Sequence, residues 1–298
     1  MNQAITDEQF ARLRDIRATA PASIGAILRD RSRRDILGPD GRLFIVAADH
    51  PARGALSVGE NATAMADRYE LLDRLALALS RPGVDGVLAT PDIIDDLAVL
   101  GLLDDKIIVG SMNRGGLRGA SFEMDDRMTA YDVPTMAAHG VDFAKTLVRI
   151  DLDDPATVST LVAMAHAVTQ AAQAGLPLML EPFMSRQVDG RVVNDLSTDA
   201  VILSVAIASG LGASSAYTWM KLPVVDDMER VMAATTMPTL LLGGDSGADP
   251  DETFTAWESA LALPGVRGLT VGRTLLYPPD GDVESAVDTA AALVHRDL

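Results

Sequence analysis

The feature that most constrains the fold is an alternation of short apolar runs with longer stretches of helical periodicity, which continues along most of the chain. The apolar runs have the length and composition of strands buried on both faces, as in a parallel sheet. A helical stretch between successive strands is the connection that parallel strands require. The eight predicted strands are Leu43–Ala48, Gly86–Ala89, Lys106–Gly110, Asp142–Ile150, Pro177–Pro182, Ala216–Leu222, Pro238–Gly243 and Gly268–Val271.

Eight strand–helix units in a chain of 298 residues predict a closed (β/α)8 TIM barrel, an α/β fold, rather than an open doubly wound sheet. Residues 39–298 are assigned to this single barrel domain. Residues 1–38 are predicted to form an N-terminal helical extension in two pieces, Thr6–Ala18 and Ser23–Arg34, and Thr6 with Gln9 matches a capping box. The predicted barrel helices include Met65–Ser80, Ile93–Leu103, Ala156–Ala174, Asp199–Leu211, Asp226–Ala234, Glu252–Leu263 and Val283–Val294.

Charge and cysteine content narrow the functional classes. The 25 basic and 42 acidic residues give a net charge of −17, which disfavours binding to nucleic acid and to anionic membranes. The absence of cysteine excludes disulfides, thiolate metal sites and a cysteine nucleophile. The first residues show no basic region followed by an apolar run, and no stretch reaches the roughly 18 apolar residues of a membrane span. We therefore expect a cytoplasmic protein with no nucleic-acid or membrane partner.

Polar residues gather at the carboxyl ends of the predicted strands. Catalytic groups of TIM barrels lie at this end, on the strands and on the loops that follow them. Side chains alternate along a strand, so Lys145 and Arg149 share a face, as do Tyr217, Trp219 and Lys221. The polar residues and glycines at this rim are Asp49, Arg53, Lys145, Arg149, Glu181, Lys221, Gly243, Gly244, Gly272 and Arg273.

Lys221 stands alone near the end of a strand that is predicted to be buried, and the presence of a charged side chain at such a position needs an explanation. An exposed lysine has a pKa of about 10.4, but burial together with a second cation lowers this value. A neutral lysine amine can attack a carbonyl carbon and form a Schiff base. The alternative is structural: the aliphatic stem is buried while the ammonium group reaches water or pairs with a carboxylate. On position alone, both interpretations stay open.

Taken in order along the barrel, these residues resemble the class I aldolases of the family that includes the tagatose bisphosphate and deoxyribose-phosphate aldolases. The likeness is closest to the tagatose bisphosphate type and runs from Asp49 to Arg273. That type has an Asp-x-Arg-Gly-like turn after the first strand, lysines on strands four and six, a glutamate on strand five and Gly-Arg after strand eight. The matching positions here are Asp49 with Arg53 and Gly54, Lys145, Glu181, Lys221, and Gly272 with Arg273.

The resemblance implies a division of catalytic roles. Lys221 would form the Schiff base, and Glu181 would carry protons between the carbinolamine and a substrate hydroxyl. Lys145 would lower the pKa of Lys221 and could also donate a hydrogen bond to a substrate oxygen, and Asp49 would orient Lys145 or a hydroxyl. The alternative is that Lys145 merely forms an ion pair with Glu181 or Asp49 at the barrel mouth. No cofactor and no metal are expected, because His50 has no metal-spaced histidine partner for a zinc site.

A phosphate-binding site is predicted after the last two strands. Backbone N–H groups at Gly243, Gly244 and Gly272 could approach a phosphate, with Arg273 and Arg53 supplying positive charge. The alternative is that these glycines only serve tight turns between strand and helix.

Arg149 departs from the tagatose-type pattern, where a tyrosine is expected. Its planar guanidinium suits a carboxylate, and a second phosphate is the other possibility. The chain as a whole also resembles barrel proteins of actinobacterial inositol-catabolism clusters. Those proteins are assigned to the cleavage of 5-dehydro-2-deoxygluconate 6-phosphate into dihydroxyacetone phosphate and malonate semialdehyde.

The expected ligand is thus a small sugar phosphate, and we expect a homo-oligomer. The alternatives are a tagatose or fructose bisphosphate aldolase, a deoxyribose-phosphate aldolase, or a barrel without activity that binds a sugar phosphate. The glycine-rich segment Ser111–Ser121, with Arg114 and Arg118, is either a loop that closes over the substrate or only a mobile loop.

Overall fold

The computed structural model describes residues 4–243 and 250–296, and these residues form a closed barrel of eight parallel strands. Each strand pairs with the next one around the barrel, and the circle is closed by pairing of the last strand with the first. The predicted (β/α)8 fold is therefore confirmed. The strands are β1 (Leu43–Ala47), β2 (Gly86–Ala89), β3 (Ile107–Ser111), β4 (Phe143–Ile150), β5 (Leu178–Val188), β6 (Arg191–Asn194), β7 (Thr218–Leu222), β8 (Thr239–Leu242) and β9 (Val266–Val271), of which β6 lies outside the barrel.

Helices surround the barrel and cover its outer face. Within the two described segments, none of them combines the length and hydropathy needed to cross a bilayer. The helices are α1 (Asp7–Thr19), α2 (Ala22–Asp30), α3 (Arg68–Ser80), α4 (Pro91–Val99), α5 (Val133–His139), α6 (Ala156–Ala174), α7 (Thr198–Ser209), α8 (Met228–Ala233), α9 (Pro250–Leu261), α10 (Arg273–Leu276) and α11 (Val283–Val294).

Strand side chains alternate between the helix layer and the barrel interior. Those that point outward, such as Phe44 and Val46, join the large core between strands and helices. Those that point inward form a separate apolar cluster, which includes Ile45, Phe143 and Met179. Towards the carboxyl ends of the strands this inward series changes from apolar to charged residues, so the interior has an apolar base and a polar rim.

The predicted N-terminal extension is helical. Thr6 and Gln9 form the predicted capping box, in which each side chain accepts a hydrogen bond from the backbone of the other residue. Helix α2 packs against α4 and α5. Just after α2, the Arg31 side chain donates a hydrogen bond to Asp142, which immediately precedes β4. The extension is thereby fixed to the amino end of the barrel, opposite the polar rim.

One predicted strand is longer than the sequence pattern indicated. The run Pro177–Pro182 is only the first part of β5, which continues to Val188 and then turns back as the antiparallel β6. Asp189 and Gly190 form the turn, with φ angles of 50° and 74°. An Asp-Gly pair between two extended segments is a strong hairpin signal, and it was overlooked because the strand was assigned only as far as its apolar residues.

The short helix α5 was also missed by the sequence analysis. It follows β3 after a long loop and has only seven residues, which is too few for helical periodicity to stand out. Its ends are nevertheless well marked, since the Asp132 side chain caps the first turn and Gly140 ends the helix in a left-handed conformation.

Candidate active site

A cavity of about 840 Å³ opens at the carboxyl ends of the strands. Its walls come from the strand ends, from the loop of residues 112–132 and from the β5–β6 hairpin. Cations dominate the charged groups of its described lining, although the whole chain is strongly acidic. Such a cavity attracts an anionic ligand. The charged lining residues are Arg53, Arg118, Arg149, Arg191, Lys221 and Arg273, together with the acids Glu123 and Glu181.

Two lysines and two carboxylates form a continuous ionic network at the base of the cavity. The Lys145 Nζ atom lies 2.8 Å from Asp49 Oδ2 and 2.7 Å from Glu181 Oε2. The Lys221 Nζ atom lies 3.1 Å from Glu181 Oε1. The side chains of Lys145, Glu181 and Lys221 are buried, and that of Asp49 is 11% exposed. The structure thus brings the four predicted catalytic residues together in the order Asp49, Lys145, Glu181, Lys221.

The strand register explains how this network is layered. Lys145 on β4 lies beside Met179 on β5, which in turn lies beside Trp219 on β7. Glu181 and Lys221 each stand two residues further along their strands, and they therefore point inward one layer closer to the rim. Glu181 and Lys221 line the cavity, whereas Lys145 and Asp49 are absent from its described lining. Lys145 therefore supports the cavity floor from below.

The two lysines have opposite electrostatic environments. Burial opposes the charged form of Lys145, but Asp49 and Glu181 outweigh this effect and raise its pKa. Burial lowers the pKa of Lys221; Glu181 counteracts part of this effect, and the nearby Lys145 cation reinforces it. Burial alone would raise the pKa of Glu181, yet the two lysines hold it below its usual value. Lys221 is consequently the lysine that more readily becomes a neutral amine, while Lys145 stays charged.

Arg149 reaches the cavity but already holds a carboxylate of the chain. Its Nη1 atom lies 2.7 Å from Glu123 Oε1, and both side chains are only 5% exposed. Glu123 Oε2 accepts a further hydrogen bond from the backbone of Gly119. Burial and the neighbouring Arg53 lower the pKa of Arg149. Nothing in the sequence indicated Glu123 as its partner, because this residue lies in a loop without regular periodicity.

That loop, residues 112–132, lies over one side of the cavity. Asn113 holds its start, donating hydrogen bonds to Asp126 Oδ2 and to the backbone oxygen of Leu147. Arg118 in its middle donates to Ser57 Oγ at 3.2 Å. Arg118 and Gly119, from the predicted glycine-rich segment, line the cavity, and so does Glu123, which follows that segment.

Close strand packing accounts for two of the predicted phosphate-binding glycines. A Cβ atom on Gly272 would come within 2.4 Å of the Ala47 backbone oxygen, and one on Gly243 within 2.5 Å of a Val271 methyl carbon. A side chain at either position would therefore force neighbouring atoms to move. Both glycines line the cavity together with Arg273. Gly244, the third predicted glycine, lies outside the described residues.

His50 lines the cavity, although the sequence analysis did not place it among the site residues. It follows Asp49 and begins a short 3-10 helix that ends at Arg53. Its Nδ1 atom is buried and has no hydrogen-bond partner among the described residues. The same holds for the Nε atom of Arg53 and the hydroxyl of Thr270, which also line the cavity. Buried polar groups without a partner are uncommon in folded proteins, and a role in a site or an ordered water explains many of them.

No group of three or more histidine, aspartate or glutamate side chains within residues 4–243 and 250–296 is arranged to hold a metal ion. The β5–β6 hairpin, which was not predicted, supplies four further lining residues, from Arg191 to Asn194. The Asn194 side chain is joined to Ser185 across the hairpin by a hydrogen bond of 2.9 Å.

Comparisons with known proteins place the chain in a family. A family model described as Cgl0159-like matches residues 41–291. The crystal structure of Cgl0159 from Corynebacterium glutamicum is 72% identical in sequence over 99% of both chains, with a TM-score of 0.97. No curated protein matches the sequence significantly.

More distant solved structures share the fold. An archaeal fructose-1,6-bisphosphate aldolase, with its catalytic lysine bound to the carbinolamine intermediate, has a TM-score of 0.62 at 19% identity over 91% of this chain and 99% of that chain. A fructose-bisphosphate aldolase from Slackia heliotrinireducens has a TM-score of 0.57 at 14% identity over 99% of this chain and 93% of that chain. At these identities the likeness concerns the barrel fold.

Proposed function

The chain belongs to the Cgl0159-like family, and we propose that it is a class I, metal-independent aldolase that cleaves a ketose phosphate into dihydroxyacetone phosphate and an aldehyde. The observation that carries this proposal is the placement of Lys221. Its amine lies on the cavity wall beside a buried carboxylate, and both burial and a second lysine lower its pKa. A buried lysine with a lowered pKa is the nucleophile that Schiff-base chemistry requires.

The reaction begins when the neutral amine of Lys221 attacks the ketone carbon of the substrate. Glu181 then transfers protons, so that the carbinolamine hydroxyl leaves as water and an iminium forms. When the hydroxyl on the far side of the scissile bond loses its proton, its O–H electron pair becomes the new aldehyde C=O bond. Glu181 accepts the hydroxyl proton, and the electrons of the broken C–C bond move towards the iminium nitrogen and give an enamine. Return of the proton to the enamine carbon gives a second iminium, and the addition of water releases dihydroxyacetone phosphate and the free amine of Lys221.

Lys145 and Asp49 act from beneath the cavity. The charge of Lys145 disfavours a second ammonium group at Lys221 and holds Glu181 in its ionised form. Asp49, bonded to Lys145 at 2.8 Å, keeps this lysine in place. In this scheme both residues are positioning residues that the substrate does not contact.

The substrate phosphate is assigned to the part of the rim formed by Gly243, Gly272 and Arg273, with Arg53 as a further cation. Arg149, on β4, is assigned to a second acidic group of the substrate, which would share or replace the Glu123 carboxylate as the partner of its guanidinium group. A phosphate and a carboxylate at opposite ends describe 5-dehydro-2-deoxygluconate 6-phosphate, and we propose this intermediate of inositol catabolism as the substrate. Tagatose or fructose bisphosphate is the second candidate, because a guanidinium binds a phosphate equally well.

The chain offers an unusually clean test, because it contains only three lysines. Lys106 lies at the opposite end of the barrel, where its ammonium group donates a hydrogen bond to the Val84 backbone oxygen. The protein would be incubated with dihydroxyacetone phosphate and borohydride, and the modified peptide would be identified by mass spectrometry. We expect an adduct on Lys221, none on Lys106 and none in a Lys221→Arg variant.

Lys106→Arg serves as the matched control, since it removes a lysine that is remote from the cavity and should leave trapping unchanged. A folded wild-type protein that gives no adduct with this ketone would overturn the aldolase proposal and favour a barrel that binds a sugar phosphate without reacting with it. An adduct on Lys145 would retain the reaction class but reverse the roles of the two lysines.

A further inference from the structure

We propose that His50 recognises the hydroxyl group on the reacting carbon of the ketone, and that it thereby selects a hydroxylated donor over a deoxy donor. This inference rests on the proposed function, because it assigns a further substrate contact to the same cavity. It is carried by the position of the imidazole, by its lack of a partner and by the cations around it.

The first observation is the position of the His50 imidazole in the cavity. His50 lines the cavity with Lys221 and Arg273, and both of these cations are close enough to influence its ionisation. Its ring packs against the strand end at Gly272, where an added Cβ would lie 3.1 Å from the His50 Cε1 atom. The imidazole therefore stands near both the proposed iminium nitrogen and the proposed phosphate site. In dihydroxyacetone phosphate, the ketone carbon joins the phosphate-bearing carbon to the reacting carbon, which carries the hydroxyl.

The second observation is that the imidazole lacks a partner. The buried Nδ1 atom has no hydrogen bond within the described residues, and the side chain is only 21% exposed. The nearest acid is Asp49, whose Oδ1 atom is 3.7 Å away and whose other oxygen is bonded to Lys145. No hydrogen bond within the described residues therefore competes with a ligand for the imidazole.

The third observation concerns charge. Burial lowers the pKa of His50 to about 3; Asp49 opposes this shift, while Arg273, Arg53 and Lys221 add to it. At neutral pH the imidazole is therefore uncharged, with one N–H donor and one acceptor nitrogen. A neutral group that both donates and accepts suits a hydroxyl group, whereas the surrounding arginines suit the anionic groups of the substrate.

The test compares two ketones that differ in one hydroxyl. Dihydroxyacetone phosphate and hydroxyacetone phosphate share the ketone and the phosphate, but the second lacks the hydroxyl on the reacting carbon. The concentration of each ketone that gives half-maximal borohydride trapping on Lys221 would be measured for the wild type, His50→Gln and His50→Leu. We expect the wild type to trap the hydroxylated ketone at about tenfold lower concentration, which is the usual scale of one buried hydrogen bond.

In His50→Leu this preference should fall to about one, because the trapping concentration of the hydroxylated ketone rises. The ratio is taken within one variant, and urea unfolding would show that this variant is folded. His50→Gln should keep part of the preference, because an amide also donates and accepts. A wild-type preference that persists in His50→Leu would overturn the inference. So would an equal loss of both adducts in folded His50→Leu, since His50 would then act on the site as a whole.

The pH dependence of the preference for the hydroxylated ketone distinguishes a neutral His50 imidazole from a charged one. The ratio of the two trapping concentrations cancels any effect of pH on Lys221, because both ketones react with the same amine. The charged groups facing His50 are Asp49, Arg53, Lys221 and Arg273. With a neutral His50, the ratio should be constant from about pH 5 to pH 8, and a fall as pH rises through about 6.5 would contradict the inference. Absence of both adducts from the wild type would instead refute the aldolase proposal on which the inference rests.

Discussion

The two ends of the barrel both contain buried ionic clusters, but they use different cations. At the amino end, Asp142 is bonded to Arg31 and Arg33, and Asp85 is bonded to Arg34. At the carboxyl end, the cations of the network are the lysines 145 and 221. Arginine keeps its proton at any accessible pH and binds carboxylates through a rigid fork, whereas a buried lysine can lose its proton.

The comparison indicates that the groups that stabilise the fold and the groups that line the cavity lie at opposite ends of the barrel. The carboxylates at the amino end also accept backbone hydrogen bonds, from Phe44 to Asp85 and from Ile108 to Asp142, so these clusters fix the strand starts. The network at the carboxyl end joins side chains of different strands and leaves two of its members on a cavity wall. Arginines therefore hold the two carboxylates that fix the strand starts, whereas lysines, which can lose their protons, form the network beneath the cavity.

The largest expected effect is that of replacing Lys221, which can lose its proton, with arginine, which cannot. Lys221→Arg retains a positive charge near Glu181 but cannot form a Schiff base, so turnover should fall by about 10⁴-fold or more. Steady-state kinetics on the ketose phosphate would measure this loss, and urea unfolding would show whether the variant still folds. Activity near the wild-type level would mean that the two ends do not differ in the way described.

A smaller loss is expected from Glu181→Gln. The amide keeps the shape of the side chain but cannot exchange protons with the carbinolamine, so kcat should fall by about 10²- to 10⁴-fold. Removing its negative charge should also lower the pKa of Lys221 further, because Glu181 at present raises that value. The acid limb of borohydride trapping should therefore move to lower pH, a shift that a merely structural role of Glu181 would not produce.

The reciprocal exchange at the amino end should affect stability instead of turnover. Arg31 donates hydrogen bonds to the backbone oxygens of Ser32, Lys106 and Gly140 and to Asp142, and one ammonium group cannot reach all of them. We expect Arg31→Lys to lower the free energy of unfolding by about 2 kcal/mol. Urea unfolding would measure this loss, and kcat per folded molecule should be unchanged. A matched loss of kcat would show that the two ends are coupled.

The smallest expected effect is the pH dependence of the His295 contacts. His295 lies between Asp85 and Asp40, and its hydrogen bond to Asp85, opposed by burial and supported by Asp40, raises its pKa. Because folding raises the pKa of His295, its contacts contribute fully to the free energy of unfolding below about pH 6.5. This contribution is lost as the pH rises through the folded-state pKa. Unfolding from pH 6 to pH 9 should show a fall of less than about 1 kcal/mol that is absent in His295→Gln.

The sequence was sufficient to predict the eight barrel strands because parallel strands buried on both faces leave continuous apolar runs. It was also sufficient to predict that Asp49, Lys145, Glu181 and Lys221 meet, since the carboxyl ends of all strands share one rim. The depth of Lys145 was not predictable, because it depends on the relative register of β4, β5 and β7.

Contacts made by irregular segments could not be predicted from sequence patterns either. The pairing of Glu123 with Arg149 depends on the path of a long loop, and no periodicity or motif encodes that path. The absence of a partner for His50 Nδ1 is likewise a property of the assembled cavity. The β5–β6 hairpin is a different case, because its Asp189–Gly190 turn was present in the sequence and was not recognised.

The location of Lys145 and Asp49 beneath the cavity has a consequence for how such a protein can change. Lys145 and Asp49 are absent from the described lining of the cavity, whereas the hairpin and the loop of residues 112–132 form part of its walls. Exchanging those two segments would alter which molecule is accepted and leave the reactive amine as it is. A chemist seeking new substrates would therefore redesign the hairpin and the loop and retain the four residues of the ionic network.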